Sequence, residues 1–143
     1  MRPTDNPSGI FYIQIGFVRQ YIISADGKEL TTVIYKQKDL FPIRWTLTEI
    51  PLQSYFEAVT PLILRKAAKE EFLAFLKDEP EVFFILTSRI INRLYAILER
   101  MEHLAFGNAN NKVASLLLLL SERFGKKERR GVRIMLPLTH QDI

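Results

Sequence analysis

Five cations stand within eight positions near the end of this 143-residue chain: Lys126, Lys127, Arg129, Arg130 and Arg133, opposed only by Glu128. Positive charge at that density suits a polyanion. A run of this kind is first of all a solvated loop, but its neighbour gives the nucleic-acid reading weight. That neighbour is the closing octet, Leu136-Pro137-Leu138-Thr139-His140-Gln141-Asp142-Ile143. Thr139 is a good N-cap, with a hydroxyl that can accept an unpaired backbone N–H. Asp142, three residues on, suits the positive end of a helix dipole. Ile143 would be the first buried residue. A helix stopped at its first turn is not stable alone, so the chain is expected to be a fragment whose working end follows.

Other chemistries are short of residues. There is no cysteine, which excludes disulfides, thiolate zinc sites and cysteine-held iron–sulfur clusters. The two histidines, His103 and His140, fall on the outer face of a long helix and in the closing octet. No haem, metal or other cofactor is expected on them. With no ordered carboxylate pair either, no catalytic constellation is visible and an enzyme is not expected.

The elements that must carry these residues follow in three segments. Residues 10–64 read as β, rich in β-branched and aromatic residues, with Ser24-Ala25-Asp26-Gly27 as a turn between two strands. Pro42 and Pro51 bracket a stretch read as irregular around Trp45. Residues 54–59 and 61–64 look like further short strands, which together suggest a sandwich or roll. Residues 67–77 form a short helix with Phe72, Leu73, Phe75 and Leu76 on its apolar side, and Pro80 suits the first turn of the next. Residues 81–106 are the strongest helical signal. Phe83, Ile90, Leu94, Ile97, Met101 and Leu104 keep a- and d-type spacing over three heptads, with Thr87 at the skipped position. Phe84, Ile91, Leu98 and Ala105 run beside them, so the stripe implies two jobs: one edge pairs with another helix and the other packs on the β domain. No second long heptad helix exists in the chain, so the expected seam partner is a copy of itself; the alternative is a helix buried within one domain. Gly107-Asn108 suits its C-cap. Residues 109–124 form a leucine-rich helix expected to be buried on more than one side, and Val132 to Leu136 a short strand.

With 48% hydrophobic and 25% charged residues the composition is that of an ordinary globular protein. The net charge is +4 and the pI about 9.4. No apolar run reaches membrane length and no signal peptide is visible, so a cytoplasmic protein without a membrane partner is expected.

The order of β-roll, short helix, long pairing helix, leucine-rich helix, basic hairpin and helix start resembles the Crp/Fnr family of bacterial transcription regulators. Ile22 to Glu29, followed by Ile34-Tyr35 and Asp39-Leu40-Phe41, resembles that family's sensor-roll hairpin. Asn111 to Leu117 with Ser121-Glu122-Arg123-Phe124-Gly125 is similar to its first DNA-domain helix, and Leu136 to Ile143 to the opening of its helix-turn-helix. The resemblance implies an α+β fold: an antiparallel β-roll (double-stranded β-helix or jelly roll) as sensor, a long dimerisation helix, and the start of a winged helix-turn-helix. It divides the chain into a partial effector-sensing roll at 1–80, the dimerisation helix at 81–107, and an incomplete DNA-binding domain at 108–143. The family's early roll strands, its recognition helix and its wing are not in this sequence. DNA, a second copy of the chain, RNA polymerase and a small-molecule effector are the partners implied. In the family, Thr139 and Gln141 would sit at a helix start against the DNA backbone, where they position without reading sequence. The alternative is a dimeric ligand-sensing or protein-interaction module that does not bind DNA.

Cyclic-nucleotide-binding members carry a Gly-Glu pair for the ribose and an Arg-Ser pair for the phosphate. Here Ile43-Arg44 stands where Gly-Glu would, and Gln53-Ser54 near the expected Arg-Ser. The ribose carboxylate is replaced by a cation and the phosphate arginine is missing, so a response to cyclic AMP is not expected. Arg44 could hold another anion or make a surface salt bridge. Trp45, with Tyr55 and Phe56, could line a small-molecule pocket or serve as core.

Overall fold

A computed structural model describes residues 1–106 and 109–137. They form two compact units that divide at Pro80 and Glu81.

The first unit holds six strands: β1 (Ile10–Ile15), β2 (Val18–Ile23), β3 (Glu29–Tyr35), β4 (Leu40–Phe41), β5 (Tyr55–Ala58) and β6 (Ile63–Ala67). They make two three-stranded antiparallel sheets, ordered β4-β1-β6 and β3-β2-β5. Gly16 lets the chain pass from one sheet to the other. It sits at φ +98°, and a Cβ there would lie 2.4 Å from the Pro61 carbonyl oxygen, so no larger residue fits without backbone movement. The Asp26-Gly27 turn joins β2 to β3, with Gly27 at φ +82° and the Ser24 N–H donating to the Lys28 carbonyl at 2.9 Å.

Between the sheets lies one cluster: Ile13, Val18, Tyr35, Phe41, Leu52 and Phe56. Its centre is aromatic. Phe41 stacks on Phe11 at 5.6 Å and on Phe56 at 5.7 Å, and Tyr35 lies within 5.5 Å of Phe41. Ring pairs in this range add attraction beyond the area they bury.

Two helices complete the unit. The first, α1 (Ile43–Thr48), occupies the stretch between Pro42 and Pro51, where the sequence reading has irregular chain. Six residues are too few to show an apolar period, so this helix leaves no pattern. Its one fully buried residue is Thr46, whose hydroxyl donates to the Pro42 carbonyl at 2.9 Å. The second, α2 (Lys69–Asp78), buries Phe72 and Leu76 while Phe75 stays exposed. It begins two residues later than the pattern predicts, because β6 runs on to Ala67.

The second unit holds α3 (Pro80–Phe106, its first residue falling in the first unit), α4 (Ala109–Phe124) and a hairpin of β7 (Gly125–Glu128) and β8 (Gly131–Ile134). Pro80 opens α3, where its missing N–H costs nothing. The basic run is therefore a strand and turn rather than a solvated loop. The α4 helix buries Leu120 and Phe124 but exposes Leu117 and Leu118. Burial on several sides, expected from its leucines, is not found among the described residues, because the hairpin meets α4 near its C-terminal end.

Candidate ligand pocket and pairing helix

Arg44 and Ser54 are ten positions apart, yet they line one small pocket of the roll with a volume of about 40 Å³. Arg44 comes from α1. Ser54 stands one residue before β5. Gln20, Tyr35, Pro42, Ile50 and Leu52 are among the other lining residues. The Tyr35 hydroxyl donates to Gln20 Oε1 at 2.8 Å, and Gln20 Nε2 donates to Ser54 Oγ at 3.1 Å. This chain of hydrogen bonds fixes the Gln20 amide, and the Ser54 hydroxyl has no acceptor of its own among the described residues. Arg44 is exposed and makes no ion pair among the described residues. The surface salt bridge offered as its alternative role is thus not found there. A free guanidinium, a serine hydroxyl and a held amide form a donor-rich mouth suited to an anion.

Trp45 does not line this pocket. Successive helix positions are about 100° apart; Ile43 and Arg44 reach the pocket and Trp45 points elsewhere. Trp45 is half-buried, packs against the roll core, and carries Lys69 Nζ 5.4 Å above its ring. Tyr55 also turns away, to stack on Tyr21 at 5.1 Å, whereas Phe56 lines the pocket from the core side. Sequence reasoning missed Gln20 and Tyr35. A signal for Gln20 exists: it shares the inward register of β2 with buried Val18, and a polar residue on an inward register calls for a partner.

The wall of the pocket is tied from outside. Glu49, the residue that ends α1, pairs with Lys69 at the start of α2. The hydrogen bond from Lys69, and then its charge, hold the Glu49 carboxyl below the ordinary carboxylate range. On the outer face of the second sheet Arg19 bridges Glu57 at 2.7 Å and Glu29 at 2.8 Å.

On α3, the seam residues Phe83, Ile90, Leu94, Ile97 and Met101 are all exposed, Leu94 at 54% and Met101 at 60%. The parallel line is exposed as well, with Phe84 at 73%. The Leu104 side chain, Thr139 and Gln141 lie outside the described residues, as do Gly107-Asn108 and both histidines' side chains. No described helix is long and apolar enough to cross a membrane.

No family model matches the chain. The global nitrogen regulator of Synechocystis sp. is 26% identical over 143 residues, covering 99% of this chain and 64% of that protein. The protein of the same name from Nostoc sp. is 27% identical with the same coverage. A solved structure of a CRP/FNR-family transcriptional regulator from Thermus thermophilus matches with a TM-score of 0.71 at 22% identity, over 99% of this chain and 69% of that one. The fold is that of the Crp/Fnr regulators: an α+β chain of antiparallel roll and long helix. The resemblance drawn from the motifs holds, and the relatives similar to this chain are global transcription regulators. The chain spans a little under two thirds of the length of those relatives.

Proposed function

We propose that this chain is the sensing and pairing portion of a cytoplasmic, dimeric, DNA-binding transcription regulator of Crp/Fnr type, and not an enzyme. The observation that carries the reading is the exposed apolar seam of α3, in a chain whose roll has a buried core cluster of its own. Large apolar faces exposed at heptad spacing are unfavourable in water and are covered when two such helices pair. A second copy supplies the matching face by symmetry. An effector bound in the roll would bias how the two helices pair, and so the separation of the two DNA readers. Thr139 and Gln141 are assigned to the DNA backbone, and RNA polymerase is a further partner of the assembled regulator.

The effector proposed is a small anion held by Arg44 and the Ser54 hydroxyl. A pocket of about 40 Å³ has room for a few waters or one small charged group. No carboxylate lines it to receive a ribose hydroxyl. Arg44→Gln is expected to weaken an anionic effector by about 1.5–3 kcal/mol, the worth of a charge-assisted hydrogen bond, with little change in Tm. Calorimetric titration of a panel of small mono- and dianions against parent and variant measures it.

The DNA assignment is tested by cross-linking the native protein to its genome and sequencing what co-precipitates. Enrichment of promoter segments with two-fold-symmetric half-sites is the expected result. A stable dimer that enriches no DNA would leave the interaction-module reading in its place.

A further inference from the structure

The β7–β8 hairpin carries all of the chain's excess charge. Residues 125–134 hold five Lys and Arg against one Glu, a net +4 that equals the net charge of the whole chain. The rest of the molecule is balanced.

The hairpin's register makes this concentration more pointed. Lys126 stands directly across from Arg133, Lys127 from Val132, and Glu128 from Gly131. Alternation puts Lys126, Arg133 and Glu128 on one face. Two like charges directly opposed across a strand pair destabilise it, and the one relief among the described residues is a 3.8 Å contact from Arg133 to Glu128 between exposed side chains. Such a contact contributes little. Arg129 and Arg130 add two more cations at the turn, both exposed. A hairpin serving only as scaffold would do better with mixed charge.

The charged element is also held still. Gly125 passes so close to α4 that a Cβ would lie 1.9 Å from the Ser121 carbonyl oxygen and 2.3 Å from Val132 Cγ1. The Met135 N–H donates to the Phe124 carbonyl at 2.9 Å, and Phe124 and Leu136 are both buried. The strand pair is thus clamped to the end of α4 by its backbone, while its cations project into water.

We infer that this hairpin is a phosphate clamp for duplex DNA, with Lys126, Arg129, Arg130 and Arg133 on the backbone and no part in reading bases. The inference rests on the DNA-regulator reading above. The class of polyanion follows from what the hairpin lacks: residues 125–134 contain no aromatic side chain, so nothing is offered for stacking unpaired bases, which single strands require. From Lys126 to the turn the strand extends about 10 Å, or roughly three nucleotide rises of one DNA strand. Four cations on that footprint meet several phosphates at once.

The test is fluorescence anisotropy of a labelled random-sequence duplex with this chain across a salt series. Lys126→Gln, Arg129→Gln, Arg130→Gln and Arg133→Gln are combined in one variant. A second variant removes four charges elsewhere: Lys28→Gln, Lys38→Gln, Lys66→Gln and Lys77→Gln. Circular dichroism and melting confirm that both fold. The hairpin variant is expected to bind at least about tenfold more weakly, with a slope of log K against log salt flatter by about 3, close to 0.9 for each phosphate no longer neutralised. The charge-matched variant should change far less. Equal losses in both would mean that only net charge matters, and would overturn the clamp. DNA binding with an unchanged slope in the hairpin variant would overturn it while leaving the regulator reading intact. A parent chain that binds no duplex even at low salt would overturn the clamp and leave the regulator reading to the genomic cross-linking test. Stronger competition by single-stranded RNA than by duplex would overturn the choice of partner.

Discussion

The roll and the α3 helix are both rich in apolar residues and use them in opposite ways. In the roll, Ile13 is fully buried and Val18 nearly so, and no buried side-chain nitrogen or oxygen lacks a partner among the described residues. Along α3 the large apolar side chains from Phe83 to Met101 are mostly exposed. Apolar side chains stabilise a fold only when water is removed from them. The roll does this by folding, with two sheets closing on one another. An amphipathic helix of this length needs an outside surface to do it. Under the proposed reading, the roll is where a ligand would be held, and α3 is where a second copy would cover the exposed side chains.

The comparison is broken most severely by charging the seam. Leu94→Glu with Ile97→Glu removes four apolar side chains from a symmetric pair. At about 1.5 kcal/mol or more for each, self-association should weaken by roughly ten-thousand-fold. Sedimentation equilibrium should then show monomer while the circular dichroism of the roll is retained. A parent chain that is already monomeric would end the pairing idea. The converse change is Ile13→Ala, which opens a cavity in the finished core. It should cost about 2–5 kcal/mol and lower the melting temperature of the roll by roughly 10 °C or more. Because the seam is untouched, self-association of the folded fraction should be unchanged. If Ile13→Ala dissociates the dimer as readily as the double Glu variant, the two regions are not separable in the way described.

The smallest effect comes from the Glu49–Lys69 pair that ties α1 to α2. The folded-state pKa of Glu49 lies below its ordinary value, so the ionised carboxylate stabilises the fold at neutral pH. That contribution is lost as pH falls through the lowered folded value. Glu49→Gln should therefore melt slightly earlier than the parent at pH 7. The difference should vanish once pH drops below the ordinary carboxylate range. A difference that persists in acid would assign the effect to packing rather than charge. The pair is exposed on the Glu49 side, which keeps the expected shift small.

Much of this arrangement is legible in the residues. β1, β2 and β3 show their β-branched and aromatic character openly, and Asp26-Gly27 marks the turn between two of them. The α3 seam is legible for the same reason: heptad spacing sustained from Phe83 to Leu104 leaves little room for another period. Short elements are less legible. α1 shows no pattern in six residues, and the burial of its Thr46 is a tertiary event. β7 is masked by its own lysines, since charge argues for a loop until Val132 pairs with Lys127 and the Met135 N–H bonds to Phe124 of α4. The pocket lies between these cases. Arg44 and Ser54 stand out through the family resemblance, but Gln20, which links Tyr35 to Ser54, comes from a different strand.

By itself the sequence determined the strands of the β1–β3 region, the long helices, where the apolar seam runs, and where the positive charge is concentrated. These are properties of neighbours along the chain, so spacing and residue type are enough to set them. Only the tertiary structure decided that Arg44 and Ser54 share a pocket while Trp45 turns to the core, and that Lys126 opposes Arg133 across a clamped hairpin. Those outcomes depend on which distant backbones pair, and in what register. A shift of one residue in a strand would send its side chains to the other face.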